Sequence, residues 1–329
     1  MRRWVKIVIP SVLLAVGVVI CVVRWQAWFG MPNEPEWTGD TLVYTFPTFG
    51  ADSLNGFVRT PQGWQDTLTP ASLDIIVLGD VHNRLQRADY DSLAARVPQA
   101  DAVIQIGDWL DRGYWYHFQL LLREWMPSRL EGLPVITCPG NHEYNKGLNK
   151  TLAPDWLTWF PQPIDSTIAV HGVFYTVDFP QVRFIVLDTN PLNRLVWLTR
   201  TLTWLETAMK NADGRRIVVL MHHPVLSAAK GRANPLIYGA FRHALGKADL
   251  VIAGHDHSAL RQGPFVVLNT SGRPKDQKQR TAAFASTEPV YAVLHIEPSK
   301  EAGQPAPVTL RTYRMSDGAL IDTIHVGND

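Results

Sequence analysis

Cysteine is scarce in this 329-residue chain, which contains only Cys21 and Cys138. Cys21 lies in an apolar N-terminal run and Cys138 lies at the end of a predicted buried strand, so we do not expect a disulfide bond between them. Two cysteines cannot build the disulfide framework typical of small secreted proteins. The cysteine content therefore gives no information about the redox compartment.

A strong charge of one sign is also absent, because the formal net charge is +1. Residues 1–24 contain four basic residues and no acidic residue, and the rest of the chain contains 27 basic and 30 acidic residues. A broad nucleic-acid interface needs clustered positive charge. The slightly acidic balance after residue 24 therefore argues against nucleic-acid binding.

One long apolar run, residues 7–23, is interrupted by only three residues that are not strongly apolar. At the helical rise this run spans about 25 Å, close to the hydrocarbon thickness of a bilayer. Three basic residues precede the run and only Arg24 follows it, so the positive-inside rule places the N-terminus in the cytoplasm. We therefore expect a single-pass transmembrane anchor within residues 1–29, with the following domain on the extracytoplasmic side of the cell membrane.

Two alternatives for this run stay open. A cleaved signal peptide needs a small-x-small cleavage site, and residues 22–28 contain none that is convincing. The run could also be a buried helix of a globular core. Its length and the flanking tryptophans, Trp4, Trp25 and Trp28, favour the membrane anchor.

The rest of the chain divides into a linker and one α/β domain. Residues 30–72 are rich in proline, glycine, tryptophan and threonine, which predicts a linker with one early strand at Leu42–Phe46. Over residues 73–329, short apolar runs alternate with helical patterns, as in α/β proteins, and the polar stretch Ser271–Thr287 predicts a mobile loop. The predicted strands are Leu73–Leu78, Ala102–Ile106, Pro134–Thr137, Phe184–Leu187, Arg216–Leu220, Leu250–Ala253, Phe265–Leu268, Tyr291–Ile296, Val308–Tyr313 and Leu320–Val326. The predicted helices are Leu85–Arg96, Tyr116–Trp125, Leu195–Met209 and Pro235–Leu245.

Five short polar motifs each follow directly after a predicted strand. In open α/β sheets, ligand sites form at the carboxyl edge of the strands, and glycine lets the backbone approach a ligand closely. We therefore expect the motifs to converge at one edge. They are Gly79-Asp80-Val81-His82, Gly107-Asp108-Trp109-Leu110-Asp111-Arg112-Gly113, Gly140-Asn141-His142-Glu143, His222-His223-Pro224 and Gly254-His255-Asp256-His257.

The residue types in these motifs suit one kind of chemistry. Carboxylate, imidazole and amide oxygen ligands together favour Mn, Fe or Zn over Ca or Mg alone. About eight candidate ligands are too many for one tetrahedral zinc and fit two divalent cations that share a bridging ligand. Two cations about 3.5–4 Å apart clamp the attacking and leaving oxygens of a displacement at phosphorus. The pattern therefore predicts metal-dependent hydrolysis of a phosphate ester.

In this order, the motifs resemble the signature of the calcineurin-like metallophosphoesterase family, over residues 73 to about 270. The resemblance implies an α/β fold, a four-layer αββα sandwich of two mixed β-sheets flanked by helices, with the metals at one end. It also implies a hydrolase for a phosphate mono- or diester, with a dinuclear metal centre and a metal-bound hydroxide as the nucleophile. The substrate would be a phosphorylated small molecule or a lipid.

The resemblance also implies a role for each candidate residue. His142 would act as a general acid or stabilise the transition state, since the pKa of histidine can be set near neutrality. Arg112 would bind phosphate oxygens, and Asp111 and Glu143 would orient the histidines and the arginine. The implied ligands are Asp80, His82 and His257 for the first metal and Asn141, His222 and His255 for the second, with Asp108 bridging both.

Departures from particular relatives narrow the choice. Purple acid phosphatases have a tyrosine three residues after the bridging aspartate, where this chain has Asp111, and they lack a histidine at the position of His82. Protein serine/threonine phosphatases have an arginine before Gly-Asn-His-Glu, where this chain has Pro139. A ferric iron site of the kind found in purple acid phosphatases is therefore not expected. A protein phosphatase and a membrane-tethered binding module with an inactive site remain the alternative functions.

Several neighbouring residues have simpler explanations than a place in the site. His223 would end a strand or support a ligand, and Asp188 would support the site or form a turn. His117 lies outside the motifs and is expected to be a core or surface residue. Trp109 and Trp115 could stack on an organic group, although core packing explains them better.

Overall fold

The structure is a computed structural model of the chain, and it describes the following residues. They are 53–54, 57–60, 63–66, 72–125, 128–130, 133–144, 152–153, 156, 172–179, 181–190, 195–225, 235–273, 284–298 and 305–326. The predicted anchor at residues 7–23 and the predicted early strand at Leu42–Phe46 lie outside this set. Within it, no helix combines the length and the apolar character needed to cross a bilayer.

The described chain forms strands and helices in alternation. The strands are β1 (Ser53–Leu54), β2 (Phe57–Thr60), β3 (Gly63–Asp66), β4 (Leu73–Leu78), β5 (Ala102–Ile106), β6 (Val135–Cys138), β7 (Phe174–Asp178), β8 (Val182–Leu187), β9 (Arg216–Met221), β10 (Leu250–Ala253), β11 (Ala259–Gln262), β12 (Phe265–Val267), β13 (Phe284–Ser286), β14 (Val290–Ile296), β15 (Val308–Arg314) and β16 (Leu320–Val326). The helices are α1 (Arg87–Arg96), α2 (Trp115–Trp125), α3 (Leu195–Lys210) and α4 (Pro235–Leu245).

These strands form two mixed sheets. The first has the order β1-β2-β3-β7-β8-β9-β10-β12-β11-β13, and the second has the order β16-β15-β14-β4-β5-β6. Strands β8, β9, β10 and β12 run parallel in the first sheet, and β4, β5 and β6 run parallel in the second. Antiparallel strands complete both sheets. The predicted α/β class with two mixed sheets is therefore confirmed.

The two faces of the first sheet bury different clusters, because successive side chains of a strand point to opposite faces. In β8, Phe184 and Val186 belong to the same buried cluster as Ile75 of the second sheet. Their neighbours Ile185 and Leu187 belong to a separate cluster. That second cluster also contains Leu198 and Leu205 of α3 and Phe241 and Leu245 of α4. The two sheets therefore pack face to face, and α3 and α4 cover the outer face of the first sheet.

The structure contains strands that the sequence analysis did not predict in four stretches, two of which are β7 and β11. Residues 53–66, which we predicted as part of a linker, contain β1–β3, and Gln65 of β3 pairs with Asp178 in the first sheet. Residues 284–286, which we predicted as part of a mobile loop, form β13 beside β11. Strands of two to four residues contain too few positions for a hydrophobic alternation to be recognised.

Candidate metal centre

The five motifs lie on the loops that follow β4, β5, β6, β9 and β10. The first three of these strands belong to the second sheet, and the last two belong to the first sheet. Because the carboxyl ends of the parallel strands lie at the same end of the sandwich, loops from both sheets meet there. The seven predicted ligands lie together at this end, in two neighbouring groups.

Asp80, His82 and His257 form the first group. The Nε2 atoms of His82 and His257 are 3.0 Å apart. Oδ1 of Asp80 lies 3.5 Å from Nε2 of His257 and 3.9 Å from Nε2 of His82. Donor atoms spaced in this way can surround one cation at the usual ligand distances of about 2.0–2.2 Å.

Asp108, Asn141, His222 and His255 form the second group. Nε2 of His222 lies 3.3 Å from Oδ2 of Asp108 and 3.3 Å from Oδ1 of Asn141. The same nitrogen lies 3.3 Å from Nδ1 of His255. Oδ2 of Asp108 is also 3.7 Å from Nε2 of His82, so Asp108 lies between the two groups.

The backbone of these loops is held in an uncommon conformation. Residues other than glycine rarely adopt a positive φ, and residues that do so cluster at functional sites. Hydrogen bonds between the loops stabilise this conformation. For example, the amide of His82 donates to the carbonyl of Asp108 over 2.9 Å. Five predicted ligands have positive φ, namely Asp80 (49°), His82 (52°), Asp108 (52°), His255 (71°) and His257 (52°).

Two glycines allow the loops to pack this closely. A Cβ atom on Gly254 would lie 2.5 Å from Oδ2 of Asp80. A Cβ atom on Gly107, where φ is 72°, would lie 2.7 Å from Nδ1 of His222. Any other residue at either position would displace a predicted ligand.

Hydrogen bonds fix the ring orientation of two histidines. Nδ1 of His222 donates to the carbonyl of Ile106 over 2.9 Å, and Nδ1 of His257 donates to the carbonyl of Arg273 over 2.8 Å. A carbonyl can only accept, so each ring carries a proton on Nδ1 and turns Nε2 toward its group. This is the usual orientation of a metal-binding histidine.

The site concentrates negative charge in a buried place. Burial raises the pKa of Asp80 well above its usual range, and the charge of Asp108 raises it further against the opposing effect of His222. Burial acts in the same direction on Asp108, but His222, His142 and His82 outweigh it and hold the pKa of Asp108 well below its usual range. Asp108 in turn raises the pKa of His222 to about 9, although burial lowers it. The cluster therefore attracts positive charge.

A metal ion fits these residues. Oδ1 of Asp80, which faces the nitrogens of His82 and His257, is buried without a hydrogen-bond partner, and such atoms often mark the place of an ion or water. Burial lowers the pKa of His82 to about 3, against the charge of Asp108. Asp80, His82, Asp108 and His257 are all buried, with ligand atoms within 4.8 Å of one another. The structure thus contains a buried Asp/His cluster that could hold a metal ion.

His142 lies beside the cluster rather than inside it. Its Nδ1 is bonded to the backbone carbonyl of Asp111, and its amide donates to Oδ1 of Asp108 over 2.8 Å. Its Nε2 lies 4.0 Å from Oδ2 of Asp108. The His142 side chain is 24% exposed, whereas the ring of His222 is fully buried. His142 is therefore accessible from the solvent side of the cluster.

Glu143 binds the backbone instead of the histidines and arginine that we expected it to orient. Its carboxylate accepts hydrogen bonds from the amides of Asp108 (2.8 Å), Leu110 (2.9 Å) and Gly140 (2.7 Å). It thereby joins the loop after β5 to the loop after β6. Glu143 differs from the expectation because a buried carboxylate needs several hydrogen-bond donors, and the donors nearest to it are backbone amides.

Asp111 and Arg112 lie at the edge of the site. Oδ1 of Asp111 is 3.9 Å from Nδ1 of His82, and the Asp111 carbonyl binds His142. Arg112 is exposed, and its positive charge lowers the pKa of both Tyr116 and His117. Its role in binding phosphate oxygens stays a prediction.

His223 lies next to the second group of predicted ligands. Its ring centroid is 4.3 Å from that of His255, and it can share a cation with His222 and His255. Its Nδ1 is hydrogen-bonded to Oγ1 of Thr189 over 2.7 Å, and its amide donates to the same oxygen over 3.1 Å. Thr189 therefore fixes the orientation of His223 beside the site.

Sequence reasoning missed Asn83, which follows a predicted ligand. Oδ1 of Asn83 accepts hydrogen bonds from the amide of Asp111 (2.7 Å) and from Nδ1 of His117 (3.1 Å). Asn83 thus joins the loop after β4 to the loop after β5. Its position directly after Asp80-Val81-His82 was the available signal.

Tyr144 and Asp188 form a second connection, in which Asp188 was expected to support the site or form a turn and Tyr144 was not predicted. The hydroxyl of Tyr144 donates to Oδ2 of Asp188, which also accepts the amide of Val173 over 3.1 Å. Oδ1 of Asp188 accepts the amide of Asn190 over 3.0 Å. This buried carboxylate therefore ties the motif Gly140-Asn141-His142-Glu143 to the first sheet.

Comparison with known proteins agrees with this geometry. The family model described as calcineurin-like phosphoesterase matches residues 73–259, more than half of the chain, and this range contains all seven predicted ligands. The chain belongs to the calcineurin-like phosphoesterase family. The predicted enzyme class is confirmed: this calcineurin-like phosphoesterase is a hydrolase acting on phosphate esters.

Individual relatives of this calcineurin-like phosphoesterase are distant. A probable glycerophosphodiester phosphodiesterase of Arcobacter nitrofigilis is 26% identical in an alignment of 215 positions that covers 60% of this chain and 74% of the relative. A purple acid phosphatase from yellow lupin (Lupinus luteus) seeds superposes with a TM-score of 0.62 at 15% identity, covering 80% of this chain and 56% of that one. The anchor in the inner membrane complex of Plasmodium superposes with a TM-score of 0.58 at 13% identity, covering 78% of this chain and 89% of that one. The chain thus spans little more than half of the lupin protein, and both structural likenesses show the fold alone.

We expect His117 to make the stability of the protein dependent on pH. Burial lowers its pKa from 6.5 to about 4, against the charge of Asp111. Between these values the unfolded chain binds a proton that the folded chain does not, so the free energy of unfolding falls as the pH drops from about 6.5 to about 4. We expect the stability advantage of the wild type over His117→Phe to shrink by about 2 kcal/mol from pH 7 to pH 4.5.

Urea unfolding in the presence of a chelator measures this difference, because both proteins are then free of metal. His243→Phe is the matched control, since His243 is exposed on α4. An advantage that stays constant with pH would show that His117 does not titrate in this way.

Proposed function

We propose that this phosphoesterase hydrolyses a phosphodiester with two divalent cations, one in each group of ligands. Asp80, His82 and His257 would hold the first cation, and the second group would hold the other. The observation that carries the proposal is the position of Asp108, whose Oδ2 lies 3.7 Å from Nε2 of His82 and 3.3 Å from Nε2 of His222. One carboxylate between two sets of nitrogen and oxygen ligands is the arrangement of a dinuclear site.

A pair of cations at such a site supplies an activated water at neutral pH and neutralises the charge that develops on the phosphate. The chain itself positions the reactants. The ring orientations set by Ile106 and Arg273 keep His222 and His257 in place, and the backbone bonds of Glu143 keep Asp108 in place. Fixed ligands of this kind avoid reorganisation during the reaction.

His142 is placed to protonate the leaving oxygen. The Asp111 carbonyl accepts the proton of Nδ1, so the second ring proton of the cationic form lies on Nε2. Nε2 can donate this proton to the leaving alcohol while Nδ1 stays bonded to Asp111. Arg112, one residue beyond Asp111, is proposed to bind phosphate oxygens with its planar fork of donors.

The substrate class rests on the relative that is named a glycerophosphodiester phosphodiesterase, which favours a small phosphodiester over a monoester. A protein phosphatase and an inactive binding module are the alternatives. Hydrolysis of bis(4-nitrophenyl) phosphate by the Mn²⁺-loaded protein supports the proposal. Activity restricted to phosphopeptides, or metal binding without turnover, would favour one or the other alternative.

We further propose that residues 7–23 anchor the enzyme and that the catalytic domain faces away from the cytoplasm. The length of the apolar run and the basic residues before it support this orientation. In bacterial cells that express the full chain, protease added to spheroplasts should then degrade the domain without lysis. Alkaline carbonate washing should leave the full chain in the membrane fraction. Protection from the protease, or release by carbonate, contradicts this localisation.

Replacing Asp108 by Asn tests the bridging role. The neutral amide loses the charge that both cation positions share, so both should weaken. Loss of a group that merely supports a ligand costs about 10–100-fold, so activity should fall at least a hundredfold. Metal analysis and hydrolysis of bis(4-nitrophenyl) phosphate measure the two effects.

The control for this variant is Asp213→Asn, since Asp213 is exposed and also has a positive φ of 53°. It should retain full activity and metal content. An Asp108→Asn protein that kept both ions would rule out a bridge at Asp108.

Replacing His142 by Ala tests the proton donor. Turnover should fall by about 10²–10⁴-fold, the usual contribution of a general acid, because the leaving alcohol departs without a proton. Metal content should stay near that of the wild type, because His142 lies outside both ligand groups. The control is His243→Ala on the exposed face of α4. A collapse of metal content would instead assign His142 to the ligands.

A further inference from the structure

Two tyrosines near the metal centre, the half-buried Tyr114 and the exposed Tyr116, form an aromatic surface, which we call the Tyr114–Tyr116 surface. Tyr114 immediately precedes α2, and Tyr116 lies in its first turn. Their ring centroids are 6.3 Å apart and their planes differ by 26°. Among the large apolar side chains whose burial the structure describes, Tyr116 (44%) and Leu320 (54%) are the exposed ones. An exposed aromatic ring of this kind next to a reaction centre suggests a binding role.

A buried histidine supports this surface from below. The rings of Tyr116 and His117 are in contact, with centroids 4.0 Å apart. Nδ1 of His117 donates to Oδ1 of Asn83 over 3.1 Å, and Nδ2 of Asn83 donates to the carbonyl of His117 over 2.8 Å. Asn83 directly follows the predicted ligand His82. The Tyr114–Tyr116 surface is therefore connected through two hydrogen bonds to a loop of the metal centre.

The surface directly follows the loop whose residue Asp111 binds His142, the group proposed to protonate the leaving alcohol. The carbonyl of Asp111 binds His142, and Arg112 and Gly113 lead directly from Asp111 to Tyr114. Asp111 and Arg112 lie close enough to Tyr116 to affect the pKa of its hydroxyl: burial and Asp111 raise this pKa, and Arg112 lowers it. A phosphate bound between the metal centre and Arg112 would therefore direct its leaving group toward Tyr116.

We infer that the Tyr114–Tyr116 surface binds a planar aromatic ring on the leaving alcohol, as in a phosphodiester of a nucleoside. This inference rests on the proposed diesterase function and names its substrate class. Aromatic side chains stack on any planar ring, whereas a glycerol leaving group has no such face. Water attacks phosphorus, the bond from phosphorus to the nucleoside oxygen breaks, and that oxygen leaves with a proton.

Two diesters with matched leaving groups test the inference on the full, Mn²⁺-loaded chain. Adenosine 5′-(methyl phosphate) and glycerol 3-(methyl phosphate) both contain a primary alcohol, and only the first carries a planar ring. Chromatography separates adenosine, glycerol and methyl phosphate. We expect the wild type to release adenosine with methyl phosphate and to prefer this substrate in kcat/KM.

The measured quantity is the ratio of kcat/KM for the adenosine diester to that for the glycerol diester. Tyr116→Ser should lower this ratio about tenfold, because stacking on the ring is lost. Tyr116→Phe keeps the ring and should restore the preference. Leu320→Ser removes the other exposed apolar side chain, far along the sequence on β16, and should leave both activities unchanged. The ratio is independent of the fraction of folded protein in a preparation.

The outcomes separate this inference from the function on which it rests. Hydrolysis of both diesters with a ratio that Tyr116→Ser does not change overturns the aromatic subsite and leaves the diesterase function standing. Release of methanol instead of adenosine shows that the aromatic ring does not occupy the leaving side, which also overturns it. Failure of the wild type to hydrolyse either diester or bis(4-nitrophenyl) phosphate overturns both.

Discussion

Two buried carboxylates, Asp80 and Asp108, impose the main constraint on this structure. Each is at most 1% exposed, and their negative charges lie in one cluster of ligand atoms. Burying like charges together is costly unless positive charge and hydrogen-bond donors surround them. The surrounding structure supplies donors in the amides of His255 and His142, which bond to Asp80 and Asp108 over 2.7 and 2.8 Å. The remaining stabilisation has to come from cations or from protons on the histidines.

This constraint accounts for features that are otherwise unfavourable. The left-handed backbone at Asp80 and Asp108 has a conformational cost, and the glycines at 107 and 254 lose more conformational freedom on folding than other residues. Both features bring backbone amides and ligand atoms to the carboxylates. Glu143 then holds the resulting loops together through three backbone amides.

The parts of the fold that the sequence predicted are those with strong local patterns. The bounds of β4, β5, β10 and α4 match the prediction residue for residue, because apolar runs there end at glycine or at polar motif residues. The strands β1–β3, β7, β11 and β13 were missed, because they have only two to five residues, too few for a clear hydrophobic alternation. Asn83 and Tyr144 were missed as parts of the site for a different reason. Their roles depend on contacts with Asp111 and Asp188, which lie far away in the sequence, and no local pattern encodes such contacts.

The division of the ligands between two sheets has a consequence for how the protein matures. Loops after β4, β5 and β6 emerge from the second sheet, while those after β9 and β10 belong to the first and are made later in synthesis. A chain that has formed only one sheet lacks three or four of the seven predicted ligands, and a bound cation pair would cross-link the two layers. Metal capture would thus be delayed until the sandwich has closed, so that occupancy would itself report the completion of folding.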